Sequence, residues 1–451
     1  MPATKIIVLD DDPTGSQTVH SCLLLTRWDP LTLREALLDL APLFFVLTNT
    51  RAMSADRATE VTREVCRNIK AELDALRRRG IAIHTLVVSR SDSTLRGHYP
   101  VETDVIAEEL GPFDAHFLVP AFFEGGRFTR DSVHYVDVKG QAVPAHETEF
   151  ARDSVFAYHH SYLPDYVEEK TAGRIASSQV ERFLLADVRG DVRQRLLDLH
   201  DNACCVVDAE QQRDLDGFAV QLQDAARRGK RFLFRSGASL LTALAKLPPQ
   251  PVAAEHMSEW TRGDGPGAVI VGSHVKKSTE QLERLLGCDE VEAIEVEVSR
   301  LPEDYDALLG EVNAAVAQAC ASGKTPVVFT SRLELQFPDQ QARLAFGEVV
   351  SAFLMDVVRQ LPEDISFLIS KGGITSNDVL SSGLSLRSAR VLGQILPGCS
   401  VVRCPEDHPR HPHLPVVIFP GNVGDEDALA MTLRRLRRGA QSAPSARAVT
   451  P

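Results

Sequence analysis

Short β-branched runs alternate with longer amphipathic segments along this chain, and that alternation constrains the fold more than any single motif. A period of two that repeatedly gives way to a period near 3.6 marks α/β units. In the first half, Ile6–Leu9, Phe44–Thr48, Thr85–Val88, Phe117–Val119 and Cys205–Val207 are the strand candidates. Ala55–Arg79 and Leu215–Arg228 have helical spacing and end in basic residues followed by Gly80 and Gly229. Cations favour the negative end of the helix dipole and glycine takes the left-handed cap, so both ends read as helix stops.

At 451 residues the chain exceeds one ordinary core. Breakers cluster between Pro248 and Gly267, with Pro-Pro-Gln-Pro followed by Arg-Gly-Asp-Gly-Pro-Gly. A second α/β series follows, with strands expected at Ala268–Val271, Ala293–Val298, Val327–Thr330, Phe367–Ile369 and Val416–Phe419. Helices are expected at Lys276–Leu286, Tyr305–Ser322, Gln340–Arg359 and Glu426–Arg437. The expected organisation is a first α/β domain at 1–247, a linker at 248–266, a second α/β domain at 267–438 and a disordered tail at 439–451. Two halves of similar size invite a cleft between them.

A net charge of -13 disfavours nucleic acid as a partner, because phosphate backbones need clustered Lys and Arg. The longest apolar runs, such as Cys22–Leu25 and Leu43–Leu47, fall far short of the roughly 20 residues of a membrane span. Met1–Lys5 leads directly into a strand-like run without the layout of a secretory leader. Eight cysteines form no CxxC pair, so reduced thiols in a cytoplasmic protein are expected.

The sharpest local feature is Ile6-Ile-Val-Leu-Asp10-Asp-Asp-Pro-Thr-Gly-Ser16. A buried strand there delivers three carboxylates to its C-terminal end, where open α/β sheets place ligands. Adjacent acids repel, so a cation or a donor-rich ligand has to offset them. Val88-Ser-Arg-Ser-Asp-Ser-Thr-Leu-Arg-Gly97 also follows an apolar run and packs hydroxyls, a carboxylate and two guanidiniums together. Arginine suits a planar carboxylate, and Asp and Ser suit sugar hydroxyls. Thr48-Asn-Thr-Arg51 adds an arginine at a similar strand end, and Pro120–Arg127 adds Glu124 and Arg127. Four such loops point to a polyhydroxy-acid pocket. The second half has small-residue loops at Val269–Ser273, Ser370–Ser376 and Pro420–Gly424, where glycine lets backbone approach phosphates. None is a P-loop or a dinucleotide fingerprint.

In these residues the chain resembles the four-carbon acid sugar kinase family, the tetronate or threonate kinases, over about residues 5–435. Asp11-Asp12-Pro13-Thr14-Gly15 matches the family's Asp-Asp-x-Thr-Gly, and Thr48–Arg51 its Thr-x-Ser/Thr-Arg. Arg90-Ser-Asp-Ser-Thr-Leu-Arg-Gly97 fills the Lys-x-Asp-Ser-Thr-Leu-Arg-Gly signature with Arg90 in the lysine place. The resemblance implies an N-terminal substrate domain contacting a sugar acid through Asp11, Asp12, Arg51, Ser91, Asp92, Ser93 and Thr94. It also implies a C-terminal nucleotide domain using Ser273, Gly372, Gly373, Ile374, Thr375, Gly421, Asn422 and Gly424. An extra acid, Asp10, and Gln17-Thr-Val-His20 depart from the family pattern. So does Pro420–Gly424, where relatives have a Lys-Ser-Gly-Gly-Phe-Gly-like loop.

The expected activity is ATP- and Mg²⁺-dependent phosphorylation of a hydroxyl on threonate, erythronate, a 3-oxo-tetronate or a branched five-carbon acid. Arg51 or Arg96 would take the carboxylate, and Asp12 or Asp92 would be the base. The metal ligands are not readable, and a homodimer is the default assembly. Two alternatives share these residues. In a haloacid-dehalogenase-type phosphatase Asp10 would be the nucleophile and Asp12 the acid/base, with Lys371 as its lysine. A non-catalytic sugar-acid binder would leave the glycine loops without a task. His408–His413 reads as a stiff exposed loop rather than a metal site, and His20 as a contributor to pocket polarity. Phe122-Phe123 reads as packing and Arg434–Arg438 as a charged helix end.

Overall fold

The computed structural model describes residues 4–332 and 335–437, and the chain divides into two compact units, Met1–Pro249 and Gln250–Pro451. The tail expected at 439–451 and Arg438 lie outside the described residues. Both units are α/β, as expected.

The first unit has a parallel sheet of β1 (Thr4–Asp10), β2 (Leu23–Leu25), β3 (Leu43–Leu47), β4 (His84–Arg90) and β5 (Ala115–Val119). A separate antiparallel meander, β6 (Arg127–Arg130), β7 (Val133–Val138) and β8 (Gln141–Pro144), follows β5. The parallel sheet is completed by β9 (Glu181–Phe183), β10 (Ala203–Val207) and β11 (Phe232–Ser236), in the order β2-β3-β1-β4-β11-β5-β10-β9. Ile6 to Leu9 are all buried, the continuous apolar run of a strand covered on both faces. The helix Ala55–Arg78 buries Val61, Val65, Ile69 and Leu76 in one cluster with Ile7, Val46 and Val87. Ser54 caps its first turn by accepting from Arg57 N, and Gly80 beyond its end takes a φ of 80°. The chain runs from β1 to β3 on one side and returns to β4 on the other. The order of strand addition, not the strand direction, therefore reverses between β1 and β4, where Asp10 is in register with Arg90.

The second unit contains β12 (Ala268–Val271), β13 (Val291–Val296), β14 (Thr325–Thr330), β15 (Leu368–Lys371), β16 (Ser388–Leu396), β17 (Cys399–Arg403) and β18 (Pro415–Phe419). The order is β13-β14-β12-β15-β18-β17-β16, and β17 runs antiparallel to both of its neighbours, β18 and β16. Here the reversal falls between β12 and β15. The segment 248–266, expected as a linker, carries the 3-10 stretch Ala254–Trp260. Met257 is fully buried in the core with Val269, Phe367 and Val417, and Trp260 packs against it, so most of that segment is built into the second unit. Two apolar anchors outweigh its many breakers.

All eight cysteines are free thiols, six of them buried. Among the described residues no helix is long and apolar enough to cross a membrane.

Candidate functional site

In the first unit the four polar loops leave the carboxyl ends of β1, β3, β4 and β5, on both sides of the reversal where open α/β sheets bind ligands. Arg51 lies on the short turn Thr50–Ala52 after β3, whose Asn49 is left-handed. Its guanidinium grips Asp11 with two bonds, Nη2 to Oδ1 at 2.5 Å and Nε to Oδ2 at 3.1 Å, and reaches Asp12 Oδ2 at 3.4 Å. Asp12 also accepts from Thr14 N at 2.8 Å and from the Thr14 hydroxyl at 2.5 Å. The Asp12 side chain is about a quarter exposed, against almost none for Asp11.

Asp92, after β4, accepts from Arg96 Nε at 2.8 Å and from the Thr94 hydroxyl. Arg96 also reaches Asp153 at 3.3 Å. Burial alone would raise the Asp92 carboxyl, but the charges of Arg51 and Arg96 hold it well below the usual carboxylate range. Two bonded groups thus meet at neighbouring strand ends, Asp11, Asp12 and Arg51 in one and Asp92, Thr94 and Arg96 in the other, and the charge of Arg51 links them by acting on Asp92. Ser91 is buried beside them, its N–H donating to Ser236 O at 3.1 Å. Ser93 enters through its carbonyl.

Four successive carbonyls of this segment are held from outside. His134 Nε2 bonds Ser93 O at 2.7 Å, Tyr158 OH donates to Thr94 O at 2.7 Å, Tyr166 OH to Leu95 O at 2.7 Å and Arg235 to Arg96 O at 2.9 Å. Burial pulls His134 down to about 4, so the neutral ring donates from Nε2 and accepts from the Thr129 hydroxyl at Nδ1. Gly97 has φ 109°, and a Cβ there would stand 3.1 Å from Asp11 Oδ2. Buried Glu102 accepts from the Thr50 hydroxyl at 2.5 Å; burial and nearby Asp11 push it up to about 7.

Asp10 is different in kind from its neighbours. It is completely buried, and neither carboxyl oxygen has a hydrogen-bond partner among the described residues. Burial pushes it well above the ordinary carboxylate value despite Arg90. The turn closes over it so tightly that a Cβ on Gly15 would come within 1.9 Å of its Oδ1.

In the second unit the three glycine loops converge at the ends of β12, β15 and β18. A Cβ on Gly272 would stand 2.3 Å from the Thr375 hydroxyl, one on Gly372 3.1 Å from Ser273 Cβ, and one on Gly421 3.1 Å from Ser273 Oγ. Ser278 Oγ bonds both Ser273 Oγ at 2.9 Å and Gly421 O at 3.0 Å. Gly372 has φ 122° and opens the short helix Gly373–Asp378. The Ile374 side chain is 66% exposed. Asn422 is exposed and offers its carbonyl to Lys277 Nζ at 3.3 Å. Gly424 completes the loop with φ 81°.

Two residues that sequence reasoning did not place in the nucleotide site act here, Lys371, read there only as the lysine of the phosphatase alternative, and Arg332. Lys371 is fully buried and bonds Pro420 O at 2.6 Å and Gly421 O at 3.3 Å, tying two glycine loops together. Arg332 donates to Ser273 O at 2.6 Å. Two expectations are corrected. His20 bonds Ser21 at 2.9 Å and Pro248 O at 2.7 Å, so it fastens the end of the first unit instead of lining the pocket. The His408–His413 loop is not wholly exposed, because His411 is buried and His408 bonds Leu384 O at 2.8 Å.

Two family models match this chain: a sugar-binding N-terminal domain over residues 6–244 and a nucleotide-binding C-terminal domain over residues 268–429. A D-erythronate kinase of Heliobacterium modesticaldum is 26% identical over 227 residues, which are 48% of this chain and 47% of that protein. The chain thus spans about half the length of the curated relative it matches. The crystal structure of Haemophilus influenzae protein HI1011, of family DUF1537, is similar with a TM-score of 0.64 and 18% identity, covering 95% of this chain and 100% of that one. A Salmonella typhimurium LT2 protein, provisionally described as a tRNA synthase, gives a TM-score of 0.66 at 19% identity over 97% and 99% of the two chains. At such identities these structures share the fold alone. Matched in order by a sugar-binding and a nucleotide-binding domain, the chain belongs to the four-carbon acid sugar kinase family.

Proposed function

We propose that the protein is an ATP-dependent kinase that phosphorylates a hydroxyl of a small four-carbon, or branched five-carbon, sugar acid. The observation that carries the reading is the meeting of two bonded groups, Asp11, Asp12 and Arg51 with Asp92 and Arg96, at the strand ends of the sugar-binding unit. MgATP enters as the second substrate, held by the glycine loops around Ser273, Gly372 and Gly421. Phosphoryl transfer needs positioning and charge neutralisation more than covalent help.

Of the two candidate bases, Asp12 suits the task better. It is the exposed carboxylate of the acidic turn, whereas Asp92 is held strongly acidic by two arginines and serves to orient Arg96 and the substrate. The complete burial of Asp10 under the Gly15 turn speaks against the phosphatase alternative, whose nucleophile must reach a phosphate.

An ADP-release screen over threonate, erythronate, 3-oxo-tetronates and branched five-carbon acids tests the reading. Release is expected only with Mg²⁺ and one of these acids present. Asp12→Asn is expected to lower kcat by orders of magnitude. Sugar-acid binding without any ADP release would leave a binding protein and end the kinase reading.

A further inference from the structure

We infer that Arg127 receives the carboxylate of the sugar acid. The inference rests on the sugar-acid reading of the first unit and specifies which of its cations reads the substrate's charge.

The other arginines around the acidic network are already engaged. Arg51 is bound to Asp11 and Asp12, and Arg96 to Asp92 and Asp153. Arg90 is buried and donates to Ser91 O, and Arg235 donates to Arg96 O and lies over the Tyr99 ring. An incoming anion would have to compete with a carboxylate already bonded to Arg51 or Arg96, and Arg90 and Arg235, which carry no carboxylate, are buried at 4% and 3% exposure.

Arg127 has no such competitor. It opens β6 after the turn Phe123–Gly125, which follows β5 into the same cluster of loops. Among the described residues it makes no ion pair within 4 Å. Its guanidinium donates only to the carbonyl of its own turn, at Gly125, and its Nε is buried without a partner. It lies over the Phe150 ring, 5.9 Å from the centroid, and Arg96 lies over the same ring at 5.1 Å. Phe122 packs on it at 6.0 Å. Asp92, Arg96 and Glu149 are the charges that act on it, and burial lowers its proton affinity despite Asp92. A half-buried guanidinium without a counter-ion, stacked between aromatic rings beside a site for a hydroxy acid, is a receptor for a planar carboxylate. Arg51, Asp12 and Asp92 are then left to the hydroxyls.

Calorimetric titration of the full chain with D-erythronate, threonate and the branched five-carbon acids tests this without ATP. Arg127→Gln should weaken binding of the acid that the wild type takes by roughly ten- to a hundredfold, the size of a charge-assisted paired contact. Arg127→Lys should fall between the two, and neither variant should change the KM for ATP. Unchanged acid affinity in an Arg127→Gln protein of normal melting temperature overturns the inference. Acid binding that depends on Arg127 but is followed by no ADP release leaves it standing and removes the kinase reading. A wild type that binds none of the acids overturns both.

Discussion

Lys371 is a fully buried ammonium whose protonation can be read directly from stability. It ends β15, immediately before the Gly372 turn; its Nζ bonds Pro420 O and Gly421 O and sits 4.1 Å from the Phe419 ring centroid. Burial is the main force pulling it down to about 7, with Lys277 acting in the same direction and Cys399 opposing. In the unfolded chain a lysine titrates near ~10.4. Between those values the unfolded state binds the extra proton, so stability rises with pH across that window and is flat below it. From pH ~6.5 to ~9.5 the gain integrates to about 3 kcal/mol. For a unit of this size that is roughly 6–12 °C in Tm.

Lys371→Met removes the titration. The assay is Tm against pH for wild type and variant, and the expected result is a difference that moves in the wild type's favour by about 3 kcal/mol as pH rises. Parallel curves would refute the reasoning. A neutral amine keeps two N–H donors, enough for both carbonyls, so the clasp between loops should survive deprotonation. The methionine variant has no donors and should raise the KM for ATP at every pH.

Two further outcomes are expected. Asp10→Asn puts an amide that needs acceptors into a buried site without partners among the described residues, so it should lower stability by about 1–3 kcal/mol while ADP release stays within a few-fold; nucleotide-independent release of phosphate from sugar phosphates, lost in a folded Asp10→Asn protein, would favour the phosphatase alternative. His134 is held near 4, below its unfolded value of ~6.5, so the unfolded state takes up the proton first and stability falls by up to about 3 kcal/mol as pH drops through that window. His134→Gln should flatten that acid limb in thermal melts, and an unchanged limb would show that His134 does not set it.

What could be read from the sequence, and what could not, divides by range. The Arg90–Gly97 segment was legible because its chemistry is contiguous, and an apolar run before it places it at a strand end. Helix limits such as Ala55–Arg78 follow from local caps. Strand β11 escaped notice although Phe232–Phe234 follows the helix stop at Gly229. Its place between β4 and β5 depends on pairing across more than a hundred residues. The four groups that hold the carbonyls of Ser93 to Arg96 come from β7, from Tyr158, from the helix Leu163–Lys170 and from β11. None carries a local signal, because hydrogen bonds to a carbonyl constrain the donor's position and leave no spacing in the chain.

The same limit explains the acidic turn. Asp10, Asp11 and Asp12 look alike in sequence, but Asp10 ends the strand and the chain bends at Asp11 and Asp12, which sends the three side chains to different surroundings. Asp11 meets Arg51, Asp12 reaches solvent, and Asp10 turns inward under Gly15, where burial raises its proton affinity. The repulsion that three adjacent acids would impose is offset by the charges of Arg51 and Arg90 and by the raised proton affinity of Asp10. Arg127, on a different strand, makes no ion pair among the described residues and is less buried than Arg90 and Arg235, which also lack one.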